Sequence, residues 1–219
     1  MKRATLTFDN GPDPAVTPAV LDILRRHGLK AHFFVLGKHL ADAEGRRLVA
    51  RALEEGHAAG NHSFTHAVPL GEDPRPDAAL AEIATTEALL APLVPGPKRF
   101  RPFGGGGVLG PHLLSRAAVE YLVQHSYTCV LWTSVPRDWV DPTGWRERAI
   151  ADCEAQSHAV VVLHDIANAC LPELDAFLGA ARGRGIEFVT DLPIEVTPIL
   201  DGKISGDLGR IVAPAAESS

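Results

Sequence analysis

The sequence lacks the features that mark membrane-spanning, nucleic-acid-binding and disulfide-stabilised proteins. No apolar run approaches the roughly 20 residues that a membrane helix needs. The formal net charge of −6 offers no basic surface to a nucleic acid. The three cysteines, Cys129, Cys153 and Cys170, are odd in number and show no Cys-x-x-Cys spacing, which indicates neither a disulfide framework nor a thiolate metal site. We therefore expect neither a membrane nor a nucleic acid as a partner.

The composition is that of one globular domain. Hydrophobic residues make up 46% of the 219 positions and charged residues 22%, which allows a full core. Residues 1–5 include two basic residues but lead directly into an apolar strand, without the apolar core of a signal peptide. For a full-length chain we expect a cytoplasmic protein. The periodic pattern ends near residue 190, so we expect a domain over residues 1–190 and an extension over 191–219, with a disordered tail from 213.

Short apolar segments alternate with amphipathic segments along the chain. The apolar segments predict seven strands, at residues 4–8, 31–35, 57–61, 98–101, 127–132, 159–163 and 186–189. The amphipathic segments predict six helices, at residues 16–26, 40–55, 78–93, 113–125, 142–154 and 171–184. This alternation is typical of parallel βαβ units, arranged either as an open doubly wound sheet or as a closed barrel.

Polar residues follow five of the predicted strands. Asp9 and Asn10 come after the first strand, His62 and His66 after the third, and the others are Arg101, Asp138 and His164. In parallel α/β folds the ligand site lies at the carboxyl ends of the strands. We therefore expect these side chains to meet at one rim of the sheet.

Asp9 and His164 are the candidate proton-transfer groups. A carboxylate at the end of a buried strand is unfavourable unless it is paired or functional, although Asp9 also suits a turn before Gly-Pro. In a hydrolysis, one such group takes a proton from water and the other returns one to the leaving group. Arg101 near Asp9 would keep that carboxylate ionised. The alternatives are a strand-end turn for His164 and a surface ion pair for Arg101.

Two further pairs have a spacing that indicates a site. His62 and His66 are four residues apart, which on a helical turn would place both imidazoles on one face and suit a single metal ion. The other seven histidines are interpreted as surface, cap or core residues.

Asp138-Trp139 fits either a rim pair with a flat aromatic wall or a half-buried tryptophan with a capping aspartate. The glycines at 104–107 lack the Lys-Ser/Thr of a phosphate-binding loop, so no nucleotide site is expected.

Five segments together resemble the NodB-type polysaccharide deacetylases, carbohydrate esterase family 4. Thr7–Pro12 (TFDNGP) resembles the family's TFDDGP motif, His62–His66 its H-S/T-x-x-H motif and Phe100–Gly105 its FRPPYG segment. Asp138-Trp139 is similar to the DW of the fourth motif, and Val160–Asp165 to the apolar run and LHD of the fifth. These segments span residues 5–165 in the family's order. The resemblance implies a distorted, incomplete (β/α) barrel of about seven parallel strands.

The resemblance also implies an activity, the metal-dependent removal of an acetyl group from an N-acetylated saccharide of the chito-oligosaccharide or peptidoglycan type. Asp9 becomes the general base and Arg101 the residue that orients it, while His164 becomes the general acid, tuned by Asp138. The implied ligands of one divalent ion, with zinc the first expectation, are Asn10, His62 and His66. The implied substrate contacts are Trp139 in the sugar groove, Val162 against the acetyl methyl, and a backbone N–H of Phe103 or Gly104 on the oxyanion.

The sequence departs from the family pattern at three places. Asn10 replaces the second aspartate of the first motif, which removes a negative charge, so we expect weaker binding, a different divalent ion or a site filled only with substrate. The glycine-rich segment 102–107 replaces Pro-Tyr and makes the groove wall less bulky. The first aspartate of the fourth motif is replaced around Thr133 or Ser134.

Two other functions are compatible with the sequence. One is a hydrolase of the same fold that acts on a non-sugar C–N bond in a small cytoplasmic metabolite, favoured by the altered third motif. The other is a non-catalytic carbohydrate-binding homologue, favoured by Asn10. Because the other site residues are retained, we expect an active enzyme; the oligomeric state is left open.

Overall fold

The computed structural model of the chain describes residues 1–214. Its strands are β1 (Lys2–Asp9), β2 (His32–Val35), β3 (Ala58–Asn61), β4 (Lys98–Phe100), β5 (Tyr127–Cys129), β6 (His158–His164), β7 (Ile186–Val189), β8 (Ile199–Leu200) and β9 (Lys203–Ile204). Its α-helices are α1 (Thr17–His27), α2 (Ala43–Glu54), α3 (Thr85–Leu90), α4 (Arg116–Gln124), α5 (Trp145–Ala155) and α6 (Leu171–Gly183). A π-helical turn, Leu80–Ala84, leads into α3, and short 3₁₀ segments occupy Gly37–Leu40 and Ile194–Val196.

The strands form one curled sheet in the order β6-β1-β2-β3-β4-β5-β8-β9. The pairings from β6 to β5 are parallel, whereas β8 and β9 pair in antiparallel fashion. Strand β1 pairs with β6 along most of the length of β1. Strand β2 pairs with the carboxyl half of β1, and β7 pairs with the amino half of β1. After β5 the chain forms a parallel bridge to β6, between Ser134 and Val161. This bridge narrows the gap between β5 and β6 that keeps the barrel incomplete. The prediction of a distorted, incomplete barrel is confirmed.

Strand β1 directs apolar side chains to one face of the sheet and polar side chains to the other. Successive side chains of a strand point to opposite faces. Ala4, Leu6 and Phe8 therefore pack in the core cluster that contains residues of α1, α5 and α6. Thr7 and Asp9 point to the other face and are also buried. The alternating sequence of β1 thus delivers a carboxylate to the carboxyl end of the sheet.

Helix boundaries follow local capping chemistry and bring one correction. Asp42 accepts a hydrogen bond from the Gly45 N–H at the start of α2, and Gly28, whose φ is 63°, caps the end of α1. The helix predicted over 78–93 begins at residue 78 but is interrupted by the π-helical turn and ends early, at Leu90. Segment 194–200 of the expected extension holds the 3₁₀ turn and the two residues of β8.

The segment after residue 190 lies against the barrel. β8 pairs with β5, and the Ala213 N–H donates to the Leu114 carbonyl at 2.9 Å. The expected division at residue 190 stays a prediction. The disordered tail is predicted from residue 213, and its residues 215–219 lie outside the described residues. Within residues 1–214 no helix is both long and apolar enough to cross a bilayer.

Candidate active site

Asp9 is buried beside Arg101 at the carboxyl end of the sheet. The Asp9 side chain accepts a hydrogen bond from Arg101 Nη1 at 3.0 Å, and Arg101 is itself fully buried. Arg101 is fixed by further hydrogen bonds to the hydroxyl of Thr7 and to the carbonyls of Val130 and Leu131. Burial by itself raises the pKa of Asp9, but the Arg101 guanidinium, together with His62 and His164, outweighs burial and holds that pKa below its ordinary value. Asp9 is therefore ionised at neutral pH.

His164 ends β6 and is held by Asp138. Its ring Nδ1 lies 2.8 Å from Asp138 Oδ1, and its backbone N–H donates to Asp138 Oδ2 at 2.8 Å. Asp138 is fully buried. Burial lowers the pKa of His164, yet the Asp138 carboxylate outweighs it, with help from Asp9, and the pKa lies above its ordinary value of 6.5. The Asp138 contact thus favours the cationic imidazole, whose Nε2 can donate a proton.

The segment 62–66, here termed the histidine loop, is irregular. The prediction that His62 and His66 share a helical turn is wrong, because no helix forms there and both Ser63 (φ 69°) and His66 (φ 57°) have left-handed backbones. The two rings nevertheless come together, with their centroids 4.9 Å apart. His62 Nδ1 donates to the Arg101 carbonyl at 2.8 Å, and His62 Nε2 lies 3.7 Å from Asp9 Oδ2.

The donor set near Asp9 fits a divalent ion. Burial lowers the pKa of His62 and lowers that of His66 to about 3, so both rings are neutral and keep a lone pair. The Oδ1 atom of Asn10 is buried and accepts no hydrogen bond within residues 1–214, which leaves an acceptor that requires a partner. Within those residues no three His, Cys, Asp or Glu side chains form a ligand cluster; Asn10, the third candidate donor, is an amide and belongs to none of these residue types.

One pocket of about 260 Å³ brings the sequence-predicted residues together. Its lining includes the proton-transfer pair, the three candidate ligands and all four predicted substrate contacts, namely Asp9, His164, Asn10, His62, His66, Phe103, Gly104, Trp139 and Val162. Arg101 and Asp138 lie behind this lining, in contact with Asp9 and His164. The Trp139 ring packs edge-on against His164, with centroids 4.6 Å apart.

Sequence reasoning missed part of the wall. Trp132, Val135 and Ile166 also line the pocket. Trp132 lies beyond the end of β5, and its indole N–H donates to the Gly107 carbonyl at 2.8 Å. A Cβ on Gly104 would lie 2.7 Å from the Trp132 ring, so glycine at 104 permits this contact. The sequence contains this tryptophan and the glycine-rich loop 25 positions apart, and nothing local indicates that the two meet.

Asp165 is a second buried carboxylate that the sequence did not single out. It accepts a hydrogen bond from the Thr17 hydroxyl at 2.6 Å, and a Cβ on Gly11 would lie 2.2 Å from its carboxylate. Burial raises the pKa of Asp165 to about 7. Asp165 therefore packs directly under the turn that follows Asn10.

Comparison with known proteins identifies the family. The sequence model described as polysaccharide deacetylase matches residues 1–129 of the 219 in the chain. The chain belongs to the polysaccharide deacetylase family. The prediction of this family is therefore confirmed.

Relatives and solved structures of this polysaccharide deacetylase family match most of the chain. It is 33% identical over 193 residues to a peptidoglycan-N-acetylglucosamine deacetylase of Listeria monocytogenes, covering 86% of this chain but 38% of that protein. It is 35% identical over 164 residues to a chitooligosaccharide deacetylase of Rhizobium leguminosarum bv. phaseoli, covering 73% of this chain and 66% of that protein. A family 4 acetyl xylan esterase from Clostridium thermocellum, solved with a cobalt ion, has a TM-score of 0.69 at 27% identity, covering 86% of this chain and 87% of that one.

Proposed function

We propose that this protein is a metal-dependent hydrolase that removes an acetyl group from an N-acetylated saccharide. The observation that carries the proposal is a carboxylate and an imidazole that line one pocket, each held by a buried partner of opposite charge. Arg101 binds Asp9 and favours its ionised form, and Asp138 binds His164 and raises its pKa. A base and an acid that face the same cavity are what amide hydrolysis requires.

Each group has one proton to move. Asp9 accepts a proton from the attacking water, and its Arg101 contact keeps the free carboxylate oriented. His164 gives a proton to the departing amine nitrogen, which would otherwise leave as an unstable anion. The hydrogen bond from His164 Nδ1 to Asp138 fixes the ring so that Nε2 faces the pocket.

Asn10, His62 and His66 are the residues that would hold a divalent ion. The unpaired Asn10 oxygen and the two neutral imidazoles supply three donors without a protein anion among them. An ion bound there supplies Lewis-acid polarisation of the amide carbonyl and lowers the pKa of water. Zinc suits the imidazole donors, and the amide donor makes other divalent ions eligible. The cobalt ion in the Clostridium thermocellum relative supports a divalent site.

The remaining contacts orient the acetyl group. The N–H groups of Phe103 and Gly104 donate to no acceptor within residues 1–214, which leaves either of them free for the oxyanion. Val162 is 5% exposed and offers an apolar surface to the acetyl methyl. Trp139 supplies a flat wall for a sugar ring. The names of the Listeria and Rhizobium relatives support an N-acetylated saccharide of the peptidoglycan or chito-oligosaccharide type as substrate.

An acetate-release assay tests the proposal. Wild-type protein loaded with zinc or cobalt should release acetate from chito-oligosaccharides or peptidoglycan glycan strands, and a chelator or Asp9→Ala should abolish release. Turnover of small N-acyl compounds with none from any sugar would favour the metabolite hydrolase. No acetate from either class, together with retained saccharide binding, would favour a carbohydrate-binding homologue. A cytoplasmic location stays a prediction.

A further inference from the structure

The histidine loop has a backbone that its own sequence does not favour. Ser63 and His66 are both left-handed, with φ of 69° and 57°, although neither is glycine. Such residues persist only where the surrounding structure holds them. Because no helical hydrogen bonds form within the loop, its amide groups need partners from elsewhere in the fold.

The partner is Glu82, which lies outside all five family-like segments. Glu82 Oε2 accepts from the backbone N–H of Phe64 at 3.0 Å and of Thr65 at 2.8 Å. Glu82 Oε1 accepts from the Thr65 hydroxyl at 2.8 Å and from Arg75 at 3.2 Å. Glu82 is only 3% exposed. A carboxylate this deeply buried is retained only with such a full set of donors.

The same helical turn also holds the start of the loop. The Asn61 side-chain amide donates to the Ile83 carbonyl at 2.9 Å, while its oxygen accepts from the Ser63 N–H at 2.9 Å. Glu82 and Ile83 belong to the π-helical turn that precedes α3. Such turns are rare and occur frequently at functional sites. Glu82 thus binds the histidine loop directly, and Ile83 binds Asn61, which in turn binds Ser63 in the loop.

We propose that Glu82 is a positioning residue for the metal site, whose carboxylate holds the histidine loop so that His62 and His66 face the same ion. This inference rests on the proposed function, because it assigns a role to the loop that carries two of the three proposed ligands. Partners that orient ligands typically affect metal affinity by about 10–100-fold when they are lost.

The test compares Glu82→Ala with Glu87→Ala. Glu87 is a matched control, because it lies on α3 and its carboxylate accepts from the Tyr127 hydroxyl at 2.8 Å without touching the loop. Amide hydrogen exchange of the metal-free proteins should show Phe64 and Thr65 exchanging at least about tenfold faster in Glu82→Ala. Cobalt titration by calorimetry should show an affinity about 10–100-fold lower. For Glu87→Ala, the amide exchange rates and the cobalt affinity should both stay within about twofold of the wild-type values, even if its thermal midpoint is lower.

Each result of these measurements either supports or contradicts the role proposed for Glu82. Glu82→Ala with wild-type exchange and wild-type cobalt affinity would overturn the inference, as would an equal loss in Glu87→Ala. If Glu82→Ala does not fold, Thr65→Val removes one bond to Glu82 and should still speed exchange at residue 65 and weaken cobalt binding; no change would overturn the inference. A wild-type protein that binds no cobalt would refute the proposed metal site, whereas the exchange comparison would still decide whether Glu82 holds the loop.

Discussion

Replacing Asp138 with asparagine should move the proton-transfer chemistry of His164 to lower pH. The Asp138 carboxylate is the group that raises the pKa of His164 against the effect of burial. Asparagine has nearly the same size and keeps one acceptor, so the ring can stay in place. With the charge removed, burial dominates, and the pKa of His164 should fall from above to below 6.5.

The cost to stability follows from the two hydrogen bonds that Asp138 accepts, each 2.8 Å long. Asparagine has an oxygen in place of only one of the two carboxylate oxygens of Asp138. Its NH₂ group takes the other position and faces one of the two His164 donors, which is then buried without an acceptor. An unsatisfied buried donor costs about 1–3 kcal/mol. The remaining bond loses its charge, which removes about 1 kcal/mol more. The free energy of unfolding should therefore fall by about 2–4 kcal/mol at pH 6.

The pH dependence of this loss has a definite direction. In the wild type the folded-state pKa of His164 is raised, so the stabilisation is fully present below the unfolded value of 6.5 and is lost as the pH rises through the folded value. In Asp138→Asn the pKa of His164 in the folded state is lowered, so the stabilisation that protonated His164 gives the wild type is absent. The difference in unfolding free energy should thus be larger at pH 6 than at pH 9.

Two assays check Asp138→Asn. The basic limb of the kcat–pH profile reports the general acid in the enzyme–substrate complex and should move to lower pH. Urea unfolding of the metal-free proteins at pH 6 and pH 9 measures the stability difference. Asp141→Asn is the control, because Asp141 lies in the same loop and, among the described residues, forms an ion pair only with Arg148 at the surface, so neither readout should move. A basic limb that stays in place or moves upward would refute the role of Asp138.

Three further predictions concern the same pocket. Asn10→Asp should raise zinc affinity by roughly tenfold, since a carboxylate adds charge attraction to the ion; unchanged affinity by calorimetry would place Asn10 outside the ligand set. Arg101→Met should lower the free energy of unfolding at pH 7 by about 3–5 kcal/mol, because it leaves Asp9 as an uncompensated buried charge; urea unfolding with a smaller loss at pH 4 than at pH 7 is the expected result, and equal losses would contradict it. Gly11→Ala should lower the thermal midpoint and weaken metal binding together, because its methyl group would meet the Asp165 carboxylate; a midpoint unchanged from wild type would contradict the close contact.

Much of the fold and the identity of the site residues could be read from local pattern. The strands and helices alternate in sequence as they do in space, since the hydrophobic period of each element depends on its own residues alone. The position of Asp9, Arg101 and His164 directly after strands placed them at one rim, because parallel strands end on the same side of a sheet.

The conformation of the histidine loop could not be read in that way. A four-residue spacing between His62 and His66 favours a helical turn locally, but the loop amides bond to Glu82, 18 residues from Phe64 and 17 from Thr65. Trp132 is similar, because its contact with Gly107 joins positions 25 apart. Neither contact leaves a periodic signal in the sequence.

The sequence by itself therefore determined the elements, their order and the residue types that can carry acid–base and metal chemistry. Only the tertiary structure decided that Arg101 binds Asp9 in a buried site and that Asp138 raises the pKa of His164. It also decided that the Asn10 oxygen, which accepts no hydrogen bond within residues 1–214, shares a pocket with His62 and His66. The reason is physical: hydrophobic periodicity is a property of neighbouring residues, whereas a charge state depends on burial and on partners that the chain brings together from distant positions.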